Sequence, residues 1–198
     1  MTALVGIAGG IGAGKSVVSR ILDAMGYPVY DCDSRAKAIM NKDPRIHEQL
    51  CRQIHPLVVI GGVIDRRLLA EIVFNDPLAL GRLNTIVHAA VEADVSRWVQ
   101  QQGSHFTFVE SAILYQCRLA GMVDAVIEVT APVELRVSRV VKRSGLTRRQ
   151  ILDRIASQPA PSCRHAHTFE IVNDDVTPIL PQIHRVIDAI TSTAFIAQ

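Results

Sequence analysis

The stretch Gly9-Gly10-Ile11-Gly12-Ala13-Gly14-Lys15-Ser16 fits G-x-x-x-x-G-K-[ST], a spacing whose chemistry is the cradling of nucleoside triphosphate phosphates. Residues without bulk let the backbone close around phosphate oxygens with its N–H groups turned inward. A helix that starts at the loop adds the partial positive charge of its N-terminus. Lys15 then reaches the β and γ phosphates of ATP, and the Ser16 hydroxyl is a ligand for the Mg²⁺ that bridges them.

Three further groups bear on phosphoryl transfer. Asp31 and Asp33 stand where the short apolar run Pro28 to Tyr30 stops, beside the loop strand. An acceptor hydroxyl needs one acid to orient it or take its proton. Residues two apart share a strand face, but a chain leaving the strand aims them apart, and Asp33 is favoured over Asp31. The competing role for both is to cap the helix that follows. Glu110 ends the apolar run Phe106 to Val109, the place of an acid that orients a magnesium-bound water. From Arg136 to Arg154 seven basic residues accompany one acid, Asp153. Alone, that stretch reads equally as a solvated helix face. Beside a phosphate-binding loop it reads as a lid, with Arg139 and Arg143 on one helix face reaching together over the transferring group.

The elements that must position these residues alternate between short apolar runs and helical patterns, as in parallel βαβ units. Ala3 to Ala8 reads as a buried central strand. Val18, Ile21, Leu22 and Met25 mark the helix after the loop, closed by Gly26. Ser34 is a candidate cap for the next helix. Residues 44 to 102 show little strand pattern: Asp65 caps one helix, and Leu83 to Trp98 carry a longer one. Ala125 to Thr130 and Phe169 to Asn173 are further strands. Thr147 and Gln150 form a capping box that restarts the helix after Ser144-Gly145. Ile179 to Ile190 closes the chain with an amphipathic helix.

The chain of 198 residues suffices for one domain with a small appendage. With 21 basic and 19 acidic side chains it has no global field for nucleic acid or an anionic membrane. No apolar run approaches the ~20 residues that span a bilayer. The N-terminus lacks a basic leader, and Cys32, Cys51, Cys117 and Cys163 lack the spacing of a zinc or redox motif, so they read as reduced thiols. These features point to a cytoplasmic protein; it is expected to act on small molecules, as a monomer or weak homo-oligomer.

The pieces GIAGGIGAGKS, VYDCD, GGVIDRRLLAEIVFNDP, IVHA at 86 to 89, ESAILYQ at 110 to 116 and RSGLTRRQILDRIASQ at 143 to 158 resemble the dephospho-CoA kinase family along nearly the whole chain. That family phosphorylates the ribose 3′-hydroxyl of dephospho-CoA to complete coenzyme A. The resemblance implies an α/β fold: a P-loop NTPase-type parallel sheet flanked by helices, with a helical acceptor-binding insertion and a small lid. It maps the nucleotide-binding core to 1–35, 104–135 and 165–198, the CoA-binding insertion to 36–103, and the lid to 136–164. It implies that Gly9 through Val17 bind the nucleotide, that Ser16 and Glu110 hold magnesium, and that Asp33 is the base. Arg66 and His88 then belong to the acceptor region, Arg139 and Arg143 to the lid, and Asn173 lies near the adenine end.

The chain departs from the family pattern at Ala8 (usually Thr), Glu110 (usually Asp), Ala112 (usually Pro) and Gln116 (usually Glu). Ala89 replaces Pro, Glu92 replaces Arg and His167 replaces Asp. Glu110 keeps its charge and Ala8 removes none, whereas Glu92 reverses one near an anionic acceptor. Three rival readings remain at this stage. A GTPase switch would need N-K-x-D late in the chain, and Asn41-Lys42-Asp43-Pro44 fails the spacing and comes too early. A kinase for a nucleoside, nucleotide or shikimate-like acceptor shares the core. A regulator that binds ATP without turning it over shares the loop.

Overall fold

The computed structural model describes residues 2–158 and 165–192. Two compact units emerge, one formed by Met1–Tyr30 with Val99–Gln198 and the other by Asp31–Trp98.

In the first unit, Ala3–Ala8 forms strand β1, buried along its whole length, as expected for a strand covered on both faces. Helix α1, Lys15–Ala24, follows, then strand β2, Val29–Asp31. After the second unit come β5, Phe106–Glu110, and β6, Ala125–Thr130. Helices α6, Val133–Ser144, and α7, Arg148–Ser157, form a hairpin. Strand β7, Thr168–Val172, and helix α8, Ile179–Ser192, complete the unit. The sheet order is β2-β5-β1-β6-β7, with β1 parallel to both β5 and β6.

The central place of β1 matches the expectation, but β2 does not lie beside it, because β5 is inserted between them. The periodicity that reveals a strand carries no information about its neighbours. The core gathers Val5, Ile7, Phe108 and Ile127, none with exposed surface, against Val18 and Leu22 of α1 and Ile183 and Ile190 of α8. Each such side chain stabilises the fold by about 1.5–3 kcal/mol.

The hairpin has its own small core of Val137, Val140 and Ile151. Gly145 ends α6 in the left-handed region, and the Thr147–Gln150 capping box is formed. Arg148 pairs with Glu134 at 2.7 Å across the two helix starts. Its hydrogen bond and charge hold the Glu134 carboxyl below its ordinary range. Cys163, read above as a reduced thiol, lies outside the described residues, while Cys32 is buried and Cys51 and Cys117 are half-buried.

The second unit packs helices α2, Cys32–Lys42, α3, Pro44–Gln53, α4, Arg66–Asn75, and α5, Pro77–Gln100. Its core includes Ile46, Leu50, Leu69, Val73 and Ile86. Two corrections arise here. Asp31, not Ser34, caps α2: its carboxylate accepts from the N–H groups of Asp33 at 2.9 Å and Ser34 at 3.2 Å. The Ser34 hydroxyl itself donates to Asp31, so the helix begins before Ser34. A small antiparallel ribbon, β3 (Val59–Ile60) with β4 (Val63–Ile64), also lies in the stretch read as helical. Its signal was Gly61-Gly62, both at positive φ, a dipeptide suited to a tight hairpin turn. Asp65 caps α4 as expected.

Candidate functional site

At the end of β1 the chain turns through the loop into α1. Among the described residues no side chain caps that helix and its first turn holds no acid, so no acid in that turn offsets the partial positive charge of its N-terminus, which suits an anion. Gly14 is the residue that the turn requires. It adopts φ +101°, and a Cβ there would sit 2.0 Å from Nδ2 of Asn173. Lys15, the first residue of α1, donates from Nζ to the Gly9 carbonyl at 2.9 Å. Ser16 follows it, exposed.

The loop is braced from the far end of the chain. Asn173, buried at the end of β7, donates to the Ala13 carbonyl at 2.8 Å. Arg139 on α6 donates to the carbonyls of Gly12 and Ala13, both at 3.4 Å. Its other terminal nitrogen donates to the Asn173 side chain at 3.1 Å and pairs with Asp175. Glu110 ends β5 directly opposite Ile7 of β1 in register, half-buried at the carboxyl edge of the sheet. The structure therefore brings Gly9–Val17, Arg139 and Asn173 together and sets Glu110 on the neighbouring strand end.

Arg143 is not brought to the loop. It is exposed on the last turn of α6, although its spacing puts it on the face of Arg139. The second arginine at the loop is Arg136, three residues earlier, which donates from Nε to the Ile11 carbonyl at 2.9 Å. Burial strips water from its guanidinium and lowers its pKa. Gln158 accepts from the Ile11 N–H at 2.9 Å. Arg136, Gln158 and Asp175 were not singled out in the sequence. Arg136 stood within the basic stretch, where the spacing of three from Arg139 is as good a helical neighbour as the spacing of four; Gln158 and Asp175 gave no signal of their own. A cleft of about 400 Å³ opens beside Gly9 and Gly10, lined also by Ser111, Gln116, Glu128 and Arg136. In it Tyr115 donates to Glu128 at 3.1 Å.

In the helical unit, Asp33 occupies the first turn of α2 and is exposed. Asp31 spends its carboxylate on the cap, whereas Asp33 stands exposed beside it. Arg66 opens α4 and donates to Asn41 at 2.9 Å. His88 is half-buried on α5. Arg66 also borders a cavity of about 250 Å³ with Met40, Leu69, Val73, Lys37 and Phe74; no acid among the described residues lines it, and Phe74 is 84% exposed.

Hard oxygen donors suit magnesium, which keeps most of its waters and needs only one or two protein ligands besides phosphate. The Ser16 hydroxyl and the Glu110 carboxylate are of that type. Among the described residues no cluster of three His, Cys, Asp or Glu is formed, and no helix is long and apolar enough to cross a membrane.

A family model described as dephospho-CoA kinase matches residues 3–178. The chain is 38% identical over 190 residues to a dephospho-CoA kinase of Bacteroides fragilis, covering 94% of this chain and 92% of that one. A dephospho-CoA kinase of Thermus thermophilus is 35% identical over 189 residues, with 94% and 89% covered. Among solved structures, the crystal structure of TT1252 from Thermus thermophilus superposes with a TM-score of 0.77 at 34% identity, covering 96% of this chain and 97% of that one. A shikimate kinase from Acinetobacter baumannii shares the fold at a TM-score of 0.55 and 14% identity, with 98% and 97% covered.

Proposed function

The chain belongs to the dephospho-CoA kinase family, and from that premise we propose that it transfers the terminal phosphoryl group of ATP to the ribose 3′-hydroxyl of dephospho-CoA. The products are coenzyme A and ADP, the last step of coenzyme A biosynthesis. The observation that carries the ATP half is the braced loop ahead of an uncapped α1, with Lys15 at its head.

Transfer is direct and in line. Asp33 accepts the proton of the ribose hydroxyl as its oxygen bonds to the γ phosphorus, and the bond from that phosphorus to the ADP oxygen breaks. Lys15 and Arg139 supply positive charge where negative charge develops. Loop N–H groups from Gly9 to Val17 hold the phosphates. Arg143 lies on the lid face and engages the nucleotide when the lid is closed, while Asn173 fixes the loop at the end nearer the base. Ser16 and Glu110 would hold Mg²⁺, which offsets phosphate charge when bound.

On the acceptor side, Arg66 and His88 contact dephospho-CoA. The cavity beside Arg66 suits a ligand with an anionic diphosphate and a long uncharged arm: Lys37 and Arg66 supply cations, and Met40, Leu69 and Val73 supply an apolar floor. The helical segment 36–103 is thus the acceptor-binding region and 136–164 the lid. The enzyme works in the cytoplasm as a monomer or weak homo-oligomer on small molecules alone, without nucleic acid or membrane.

The test is ADP release with Mg-ATP and, in parallel, dephospho-CoA, shikimate or adenosine as acceptor. Acceptor-dependent release is expected with dephospho-CoA only. Equal turnover with either alternative, or ADP release indifferent to every acceptor, would refute the assignment.

A further inference from the structure

One residue of the phosphate-binding loop is engaged by the α6–α7 hairpin through all of its groups. The Ile11 N–H donates to Oε1 of Gln158 at 2.9 Å, and the Ile11 carbonyl accepts from Nε of Arg136 at 2.9 Å. Arg136 also donates to that same Gln158 oxygen at 3.4 Å. The Ile11 side chain packs into the hairpin's own core of Val137, Val140 and Ile151. One contact comes from α6, the other from the residue after α7, and the apolar socket between them is shared by both helices. Backbone approaches backbone as well, since a Cβ on Gly12 would meet the Arg136 carbonyl at 2.6 Å.

We propose that Ile11 is a joint through which the α6–α7 hairpin sets the conformation of the phosphate-binding loop, with Arg136 and Gln158 as positioning residues for ATP. The inference rests on the ATP-binding reading above. Neither side chain needs to touch the nucleotide. Ile11 stands immediately before Gly12–Ser16, the stretch whose N–H groups the motif turns toward phosphate. With its donor, its acceptor and its side chain all committed, Ile11 cannot shift without the hairpin, and the hairpin cannot swing without Ile11. Coupling of this kind is reciprocal: phosphate bound to the loop biases the hairpin by the same factor by which the hairpin biases phosphate. The basic hairpin is then more than a lid over the site. It is hinged to the loop that the nucleotide occupies.

The experiment measures Mg-ATP binding to the full chain by titration calorimetry without acceptor, together with KM for each substrate and thermal unfolding. Arg136→Met and Gln158→Leu are each expected to weaken Mg-ATP about tenfold, the effect of one charge-assisted or buried hydrogen bond, with KM for dephospho-CoA unchanged. Arg136→Lys restores part of the loss by returning one donor. The double variant loses less than the two single losses combined, because both act through Ile11. Native-like ATP affinity in both single variants would overturn the joint, as would equal losses for both substrates accompanied by a lowered melting temperature. If Arg136→Met does not fold, Gln158→Leu decides alone. A native chain that binds no Mg-ATP removes the ATP reading and the joint together, whereas native binding with unaffected variants removes only the joint.

Discussion

Around the loop Gly9–Ser16, backbone groups are gripped by side chains from distant parts of the chain. Gln158 takes Ile11, Arg139 takes Gly12 and Asn173 takes Ala13, at sequence separations of 147, 127 and 160. The residues of the helical unit assigned to the acceptor are held differently. Asp33 is exposed at a helix start, Arg66 reaches a neighbouring asparagine, and Phe74 stands 84% exposed over an apolar cavity. The cost of ordering the loop is met when the chain folds, so its dipoles are aimed before the nucleotide arrives. On the proposed assignment, a donor common to many kinases meets a loop braced from across the chain, and the acceptor that distinguishes them meets side chains that are exposed or held by single contacts.

The largest test of this contrast removes the one acid proposed to act on the open side. Asp33→Asn should lower kcat by about 10²–10⁴, the usual contribution of a general base, with Mg-ATP affinity unchanged in titration. Retained turnover would move the base elsewhere. On the rigid side, Lys15→Ala should reduce kcat by about 10²–10³, as loss of one aimed charge donor does, measured by ADP release. Gly14→Ala sharpens the contrast differently. A Cβ at 2.0 Å from Asn173 and a strained positive φ should lower stability by about 1–3 kcal/mol, read from urea unfolding, and weaken Mg-ATP as well. Phe74→Ser should change stability by no more than about 0.5 kcal/mol, as an exposed side chain does, and raise only the KM for dephospho-CoA. If it raised the KM for ATP equally, the two regions would not be separable.

The smallest effect belongs to the hairpin surface. Glu134 has its pKa lowered by Arg148, so the pair stabilises above the ordinary glutamate range and its contribution is lost as pH falls through the lowered value. Both groups are exposed, and exposed pairs contribute little. Glu134→Gln should therefore fall at most slightly below the native melting temperature at pH 7, and that difference should close as the pH is lowered through the acid range.

The same contrast separates what was legible in the sequence from what was not. The loop motif, the Asp65 cap and the Thr147–Gln150 box are local patterns, and a local pattern is all that a helix or turn requires, so their elements appear as read. The place of β5 between β1 and β2 is a matter of sheet order, which strand composition does not encode. Asp31 and Ser34 are both good capping residues, and only the backbone exit from β2 decides in favour of Asp31. The bracing of Ile11 by Arg136 and Gln158 joins residues more than one hundred positions apart, with no periodicity to connect them. Arg143 shows the converse: its spacing from Arg139 is correct for one helix face, yet the loop lies one turn nearer the start of α6.

The most direct test of the account is the identity of the product. The chain is incubated with Mg-ATP and dephospho-CoA, and the acceptor is analysed by fragmentation mass spectrometry and phosphorus NMR. The account predicts one added phosphate per acceptor, located on the ribose 3′-hydroxyl, with one ADP formed for each. An unmodified acceptor, or a phosphate carried at any other position, would contradict it.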